Sequence, residues 1–303
     1  MLGRTSLLRG QKLAGVAEPV DQTVTDYVLE LDDAAVRRFI VTARLAERAE
    51  RDQWAVAGIK PGATVADIGC GPGAVTVLLG RRVEPGGSVV GIDSDQAALA
   101  AARRLARDSG TGNVVFRQGD AASTGLAPGT FDVVMLRHVL GHNGGRQQAI
   151  VNHLGSLLRE GGSVYLADTD LTALRMCPPD PTLLDMWQRY SEFQASRGND
   201  VSAGLRLAEL LGRAGLKVSD FRRRYDLLRE KGFRGPAWEA REAMSADGFA
   251  GPEDLERWRE AFAGLEEAEE PLALFLPVFT AAGRYGSGLP APTLGRQVGP
   301  DAL

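Results

Sequence analysis

The chain reads as an α/β protein built on a doubly wound, mostly parallel sheet. Three observations carry that expectation. Short apolar runs alternate with helix-like stretches from Thr64 to Ala167, a cluster of glycines follows the first run, and Asp67, Asp93 and Asp120 stand near the ends of the first three. Alternation of this kind implies parallel pairing, because successive parallel strands need a crossover that is usually a helix.

Residues 1–24 show no periodicity and predict a loose tail. From Asp33 to Ile59, Val36, Phe39, Ile40, Ala43, Ala46, Ala49 and Trp54 fall near one helical stripe. A helical cap over about 25–60 is therefore expected ahead of a domain spanning 61–282. Within that domain the pattern predicts strands at Thr64–Ile68, Ser88–Ile92, Val114–Gln118, Phe131–Leu136 and Ser163–Ala167, with helices at Ala74–Arg82, Asp95–Asp108 and Gln147–Arg159. Glu84-Pro85-Gly86-Gly87 and Arg159-Glu160-Gly161-Gly162 predict helix ends, since glycine takes positive φ cheaply and proline cannot continue a helix. Beyond Asp170 the alternation loosens. A proline-rich Cys177–Pro181 stretch and a helical Thr182–Arg197 predict a lid inserted at about 171–200. Leu205–Arg213 then reads as helix, Leu216–Leu227 as strand, 232–269 as a second helical insertion, Leu272–Ala281 as a closing strand, and 283–303 as a tail.

With 303 residues, 44% of them apolar, the chain can bury one large core. A net charge of −4 without a long run of one sign argues against nucleic acid or anionic lipid as partner. The most basic stretch, Arg222-Arg223-Arg224, lies among Val218, Phe221 and Tyr225 and reads as a strand with one solvated face. Cys70 and Cys177 are far apart and lack metal-ligand spacing, so neither a disulfide framework nor a metal site is expected. No stretch has the length of a signal or membrane-spanning segment, which points to the cytoplasm.

Chemistry concentrates in Asp67-Ile68-Gly69-Cys70-Gly71-Pro72-Gly73. Alternate glycines let backbone approach a ligand, and the helix that follows offers unpaired N–H groups. Gly69, Gly71 and Ala74 also satisfy the dinucleotide fingerprint, so NAD is a rival. Asp67 weighs against it: a carboxylate there opposes a pyrophosphate but suits a ligand bearing an ammonium and a sulfonium, as S-adenosylmethionine (SAM) does. Asp93, about twenty residues on, can accept ribose hydroxyls of either ligand, and Asp120 can accept from an adenine amino group.

Taken together, Asp67–Gly73, Gly91-Ile92-Asp93-Ser94, Gly119-Asp120-Ala121 and Phe131-Asp132-Val133-Val134 resemble the class I SAM-dependent methyltransferase family in the family's order, over roughly residues 25–282. The resemblance implies a Rossmann-like sheet of seven strands, with Leu274–Phe279 in an antiparallel last strand. It also implies Gly69 and Gly71 near the methionine moiety, Asp93 on ribose, Asp120 and Ala121 at adenine, and Arg137 beside the cofactor, with Asp67, Gly73 and Ser94 among the cofactor-binding residues.

His138 and His142 follow the fourth strand, where cofactor and acceptor should meet, and are the candidates for a base. An ordinary hydrogen-bonding role for His142 is the competing reading. His153, inside a helix, reads as structural. Acceptor choice is expected from the N-terminal helical region and the two insertions: Tyr27 in the first, and Met176, Trp187, Tyr190 and Trp238 in the insertions, are candidates to line an apolar pocket, although their aromatic and apolar side chains equally suit ordinary packing. The expected activity is methyl transfer to oxygen, nitrogen or carbon of a small acceptor. Arginine-dominated, GC-rich composition and the resemblance suggest bacterial specialised metabolism. A SAM-binding protein without transfer, an NAD-dependent oxidoreductase and a peptide acceptor remain alternatives, and a homodimer is left open.

Overall fold

The structure, a computed structural model, describes residues 33–229, 234–268 and 271–286. In chain order its elements are α1 (Asp33–Ala57), β1 (Thr64–Ile68), α2 (Ala74–Val83), β2 (Ser88–Asp93), α3 (Gln96–Asp108), β3 (Val114–Gln118), β4 (Phe131–Arg137), α4 (Gln147–Ser156) and β5 (Leu158–Thr169). Then come β6 (Arg175–Cys177), α5 (Pro181–Ser196), α6 (Leu207–Arg213), β7 (Lys217–Leu228), α7 (Gly235–Glu239), α8 (Arg241–Ala246), α9 (Pro252–Glu267) and β8 (Ala273–Arg284).

Strands run in the order β3-β2-β1-β4-β5-β8-β6, with β7 on the other side of β8. The first five pair in parallel, and β8 is antiparallel to β5, β6 and β7. β1 and β4 are buried along most of their length, as strands covered on both faces must be. One face packs Ile68, Val134, Leu136 and Leu166 against Ile150, Leu154, Leu207 and Leu211 of α4 and α6. The other packs Val65, Val133, Met135 and Tyr165 against Trp54 of α1 and Leu79 of α2. A separate apolar core unites the inserted segments, with Met176, Leu183, Trp187, Phe193, Met244 and Trp258 at its centre.

Local chemistry sets the boundaries. Asp95 caps α3 by accepting from the Ala97 N–H at 2.7 Å, and Asp180 caps α5 by accepting from Thr182 and Leu183 at 2.8 and 3.0 Å, with Pro181 at the first position. Three expectations shift. There are eight strands among the described residues rather than seven, because Arg175–Cys177 of the expected lid pairs with β8. The helix expected to reach Arg159 ends at Ser156, and Arg159-Glu160-Gly161-Gly162 opens β5 instead of stopping a helix. The closing strand continues to Arg284, so the expected tail from 283 begins inside the sheet.

Candidate active site

β1 and β4 are sheet neighbours whose following connections diverge, β1 toward β2 and β4 toward β5. Open α/β sheets bind ligands at such a switch point, outside the strand C-termini. The glycine loop lies there. Gly69 and Cys70 donate to the Ile92 carbonyl at 2.7 and 3.0 Å, and Gly69, Gly71 and Gly73 all have positive φ (68°, 52° and 79°).

Packing, and not only the approach of a ligand, accounts for some of the missing side chains. A Cβ on Gly69 would lie 2.3 Å from Val139 Cγ2, and one on Gly73 would lie 2.8 Å from Ala102 Cβ. Those two glycines are demanded by packing as well as φ. Gly71 differs: its Cβ position meets only Phe39 Cε1 of α1, at 4.0 Å. The open approach to the loop is therefore at Gly71.

Two carboxylates converge on this loop. Asp67 is buried, accepts the Thr76 hydroxyl at 2.6 Å, and has its pKa pushed up to about 6 by burial, against the pull of Thr76 and Arg137. Asp93 accepts from the Gly71 N–H at 2.8 Å and the Asp95 N–H at 2.9 Å, with burial raising its pKa. It braces the loop and keeps further lone pairs for a ligand's hydroxyls. Ser94 is exposed, its carbonyl accepting from Gln118 at 3.1 Å. Asp120 takes the Ala122 N–H at 2.8 Å and pairs with Arg146 at 2.5 Å. Burial works to raise its pKa, but Arg146 and the Ala122 N–H hold it low. Ala121 beside it is half-buried.

Arg137 is committed elsewhere than to an open cofactor face. Its guanidinium donates to Glu50 of α1, which is 0% exposed and also accepts from Trp54 at 3.1 Å, Tyr165 at 2.8 Å and Arg224 at 2.7 Å. Burial would raise the Glu50 pKa, yet the two arginines and Tyr165 hold it low. This cluster was missed from the sequence. Its signal was a glutamate between Ala46 and Trp54 on the apolar stripe of α1.

At the end of β4, His138 has φ 54°, the one non-glycine residue at positive φ among those described, and its N–H donates to the Ala167 carbonyl at 2.8 Å. Such backbone strain is concentrated at functional sites. The residue is exposed, and its pKa is lowered by desolvation first and by the Arg137 guanidinium second. We read it as the wall of a cleft rather than an outer surface. His142 is half-buried, its pKa lowered by burial.

Sequence reasoning overlooked Asp168. It lies buried at the end of β5, accepting from the N–H groups of Gly141 at 3.2 Å and Thr169 at 2.9 Å, and burial pushes its pKa up to about 6. The available signal was Ala167-Asp168-Thr169-Asp170, acids at a strand C-terminus. His153 is tied to the Thr124 hydroxyl at 2.8 Å.

Of the candidate pocket residues, Met176, Trp187 and Tyr190 are buried in the core of the insertions. Trp238 is half-buried, its ring 5.1 Å from Phe262 with the Arg241 guanidinium 4.3 Å from its centroid. Tyr27 lies outside the described residues. Among the described residues no cluster of three or more metal-ligating side chains occurs, and no helix is long and apolar enough to cross a membrane.

The donor set fits SAM. An approachable Gly71 backbone beside two carboxylates is hostile to a pyrophosphate and favourable to a cationic amino acid carrying a ribose. Comparison with known proteins agrees. A family profile described as a methyltransferase domain matches residues 59–204. A 37.1 kDa protein of transposon Tn4556 in Streptomyces fradiae is 31% identical over 159 residues, 52% of this chain and 45% of that protein. Nocamycin O-methyltransferase of Saccharothrix syringae is 44% identical over 75 residues, 25% and 27% of the two chains. A 2-phytyl-1,4-naphtoquinone methyltransferase of Thermosynechococcus vestitus is 37% identical over 129 residues, 43% and 53%. The chain thus spans about half or less of the length of these relatives. Among solved structures, the YcgJ protein of Bacillus subtilis superposes with a TM-score of 0.54 at 18% identity, covering 80% of this chain and all of that one, a likeness of fold. With the loop, its two carboxylates and the sheet order all in place, residues 59–204 match a methyltransferase domain, and the chain is similar to class I SAM-dependent methyltransferases in fold.

Proposed function

We propose that this protein binds SAM across the C-terminal ends of β1 and β2 and transfers its methyl group to a small, apolar acceptor. The observation that carries this reading is Asp93 holding the N–H of the open Gly71, with the buried carboxylate of Asp67 on the strand that leads into the loop, at the switch point of the sheet. Asp67 would hold the ammonium, Asp93 the ribose hydroxyls, and Asp120 the adenine side. Bound there, SAM supplies a methyl carbon activated by its sulfonium.

His138 is poorly suited to take a proton. A conjugate acid near pKa 3 leaves the imidazole neutral at working pH, yet provides little driving force for abstraction. It serves instead as a neutral hydrogen-bond partner that orients the acceptor atom. Asp168, buried beneath Gly141, holds the 140–142 turn in register. Orientation of the acceptor supplies most of the acceleration, as in-line displacement at an activated carbon permits.

The nocamycin and naphtoquinone methyltransferase relatives, small-molecule enzymes by name, support such an acceptor. A cytoplasmic location and an acceptor other than nucleic acid belong to the same reading. Parallel calorimetric titration with SAM, S-adenosylhomocysteine and NAD tests it: binding of the two adenosyl ligands alone is expected, and binding of NAD alone overturns it. D93A should weaken SAM by about 1–3 kcal/mol through lost hydroxyl partners.

A further inference from the structure

The sheet ends at β3, whose outer side meets no other strand among the described residues. Its ladder fixes which groups face outward. Val89 N–H takes the Asn113 carbonyl and Gly119 N–H takes the Asp93 carbonyl, so 113, 115, 117 and 119 face β2 while Val114, Phe116 and Gln118 aim their backbone groups away. Arg103 of α3 donates to the Phe116 carbonyl at 3.2 Å. The N–H and C=O of Val114 and the N–H of Phe116 remain available to an added strand.

Along this edge runs an open groove of about 560 Å³ between α3 and β3. Its floor is apolar, from Ala106, Val114 and the Phe116 ring, and Val115 beyond it is 53% exposed. Its far wall opens at Gly110 and Gly112, where a Cβ would meet nothing within 4 Å. Charge around the groove is positive. Arg103, Arg107 and Arg117 are exposed, and neither Arg107 nor Arg117 forms an ion pair with a described residue. At the opposite edge, by contrast, Arg222 and Arg224 are neutralised by Asp220, Glu50 and Asp226.

We propose that the β3 edge is a docking strand for an extended, acidic peptide segment of a partner protein. Outward backbone groups supply the ladder, and the apolar floor receives alternate apolar side chains. Arg107 on the α3 face and Arg117 on the other pair with acidic residues. The unpaired arginines select that partner on a chain whose net charge is −4. A free anion is a poorer occupant, since it would leave the apolar floor and the outward N–H groups unused.

Fluorescence anisotropy with a labelled alternating glutamate–valine octapeptide tests this on the full chain. Saturable binding is expected, weakened by at least about tenfold in R107E and R117E and by a central proline in the peptide, with no binding of the lysine–valine counterpart. Hydrogen exchange should slow across residues 113–118 when the peptide binds. Both variants change exposed side chains outside the cofactor loop, so SAM affinity and melting temperature report that the fold is intact. Absence of saturable binding up to about 1 mM, equal binding to R107E and R117E, or equal binding of the proline peptide would each overturn the proposal. The last outcome would mark a non-specific polyanion surface.

Discussion

Replacing Glu50 by glutamine removes one charge from the best-buried ion cluster among the described residues while preserving size and one acceptor oxygen. Arg137 and Arg224 then lose their shared carboxylate, and Arg137, nearly buried, keeps only the more distant Asp67, while Arg224 keeps Asp226. Breaking a buried pair from one side costs about 3–5 kcal/mol, because the remaining charge stays desolvated. In a domain of this size each kcal/mol shifts melting by roughly 2–4 °C, so E50Q should melt roughly 6–20 °C lower at pH 7. The pH dependence has a definite sign. Glu50 is held below its unfolded pKa of about 4.3, so its contribution is complete above that value and disappears as pH falls through the folded pKa. The gap between E50Q and the parent should accordingly narrow in acid. Thermal melts by circular dichroism at pH 7 and pH 4 measure both; a gap under about 2 °C at pH 7 would refute the assignment of this cluster as a structural anchor.

Three other outcomes follow from the site. Asp67 carries a raised pKa, so its ionisation opposes folding above about pH 6; D67N should stabilise the ligand-free protein by up to roughly 3 kcal/mol at pH 8 while weakening SAM, and simultaneous loss of both would contradict the reading. SAM affinity of the parent should decline below about pH 6 as Asp67 protonates, a limb that calorimetry would still find in H138N; its disappearance in that variant would assign the ionisation to the histidine. G69A should destabilise by about 2–5 kcal/mol, from left-handed strain plus overlap with Val139, and adding V139A should recover the overlap part only; full recovery would mean that φ carries no strain there.

The parallel core of the sheet was legible because its signals are local. Apolar runs, cap residues and glycine punctuation mark β1 through β5 with errors of a few residues. Residues 159–162 show where locality fails: glycines that usually end a helix are recruited into β5 because Gly161 and Gly162 hydrogen-bond with Tyr285 at the far end of the chain. β6 was hidden for the same reason, since three residues form a strand only when β8 lies alongside. In the site, the carboxylates at strand ends follow from the fold's geometry. The commitment of Arg137 to Glu50 does not, because it depends on where α1 crosses the sheet. That packing also demands Gly69 and Gly73 was not legible, since contacts with Val139 and Ala102 cannot be seen from a glycine pattern.

Glu50 also bears on the order in which the molecule can assemble. Its partners Arg137, Tyr165 and Arg224 lie 87, 115 and 174 residues farther along the chain. Synthesis produces α1 first, but a carboxylate enters an apolar interior only when its counter-charges are already in position. α1 can therefore settle fully only after β7 has left the ribosome and joined the sheet. The first of the described helices thus waits on a strand made much later, and until then the face of the sheet it covers stays open to solvent.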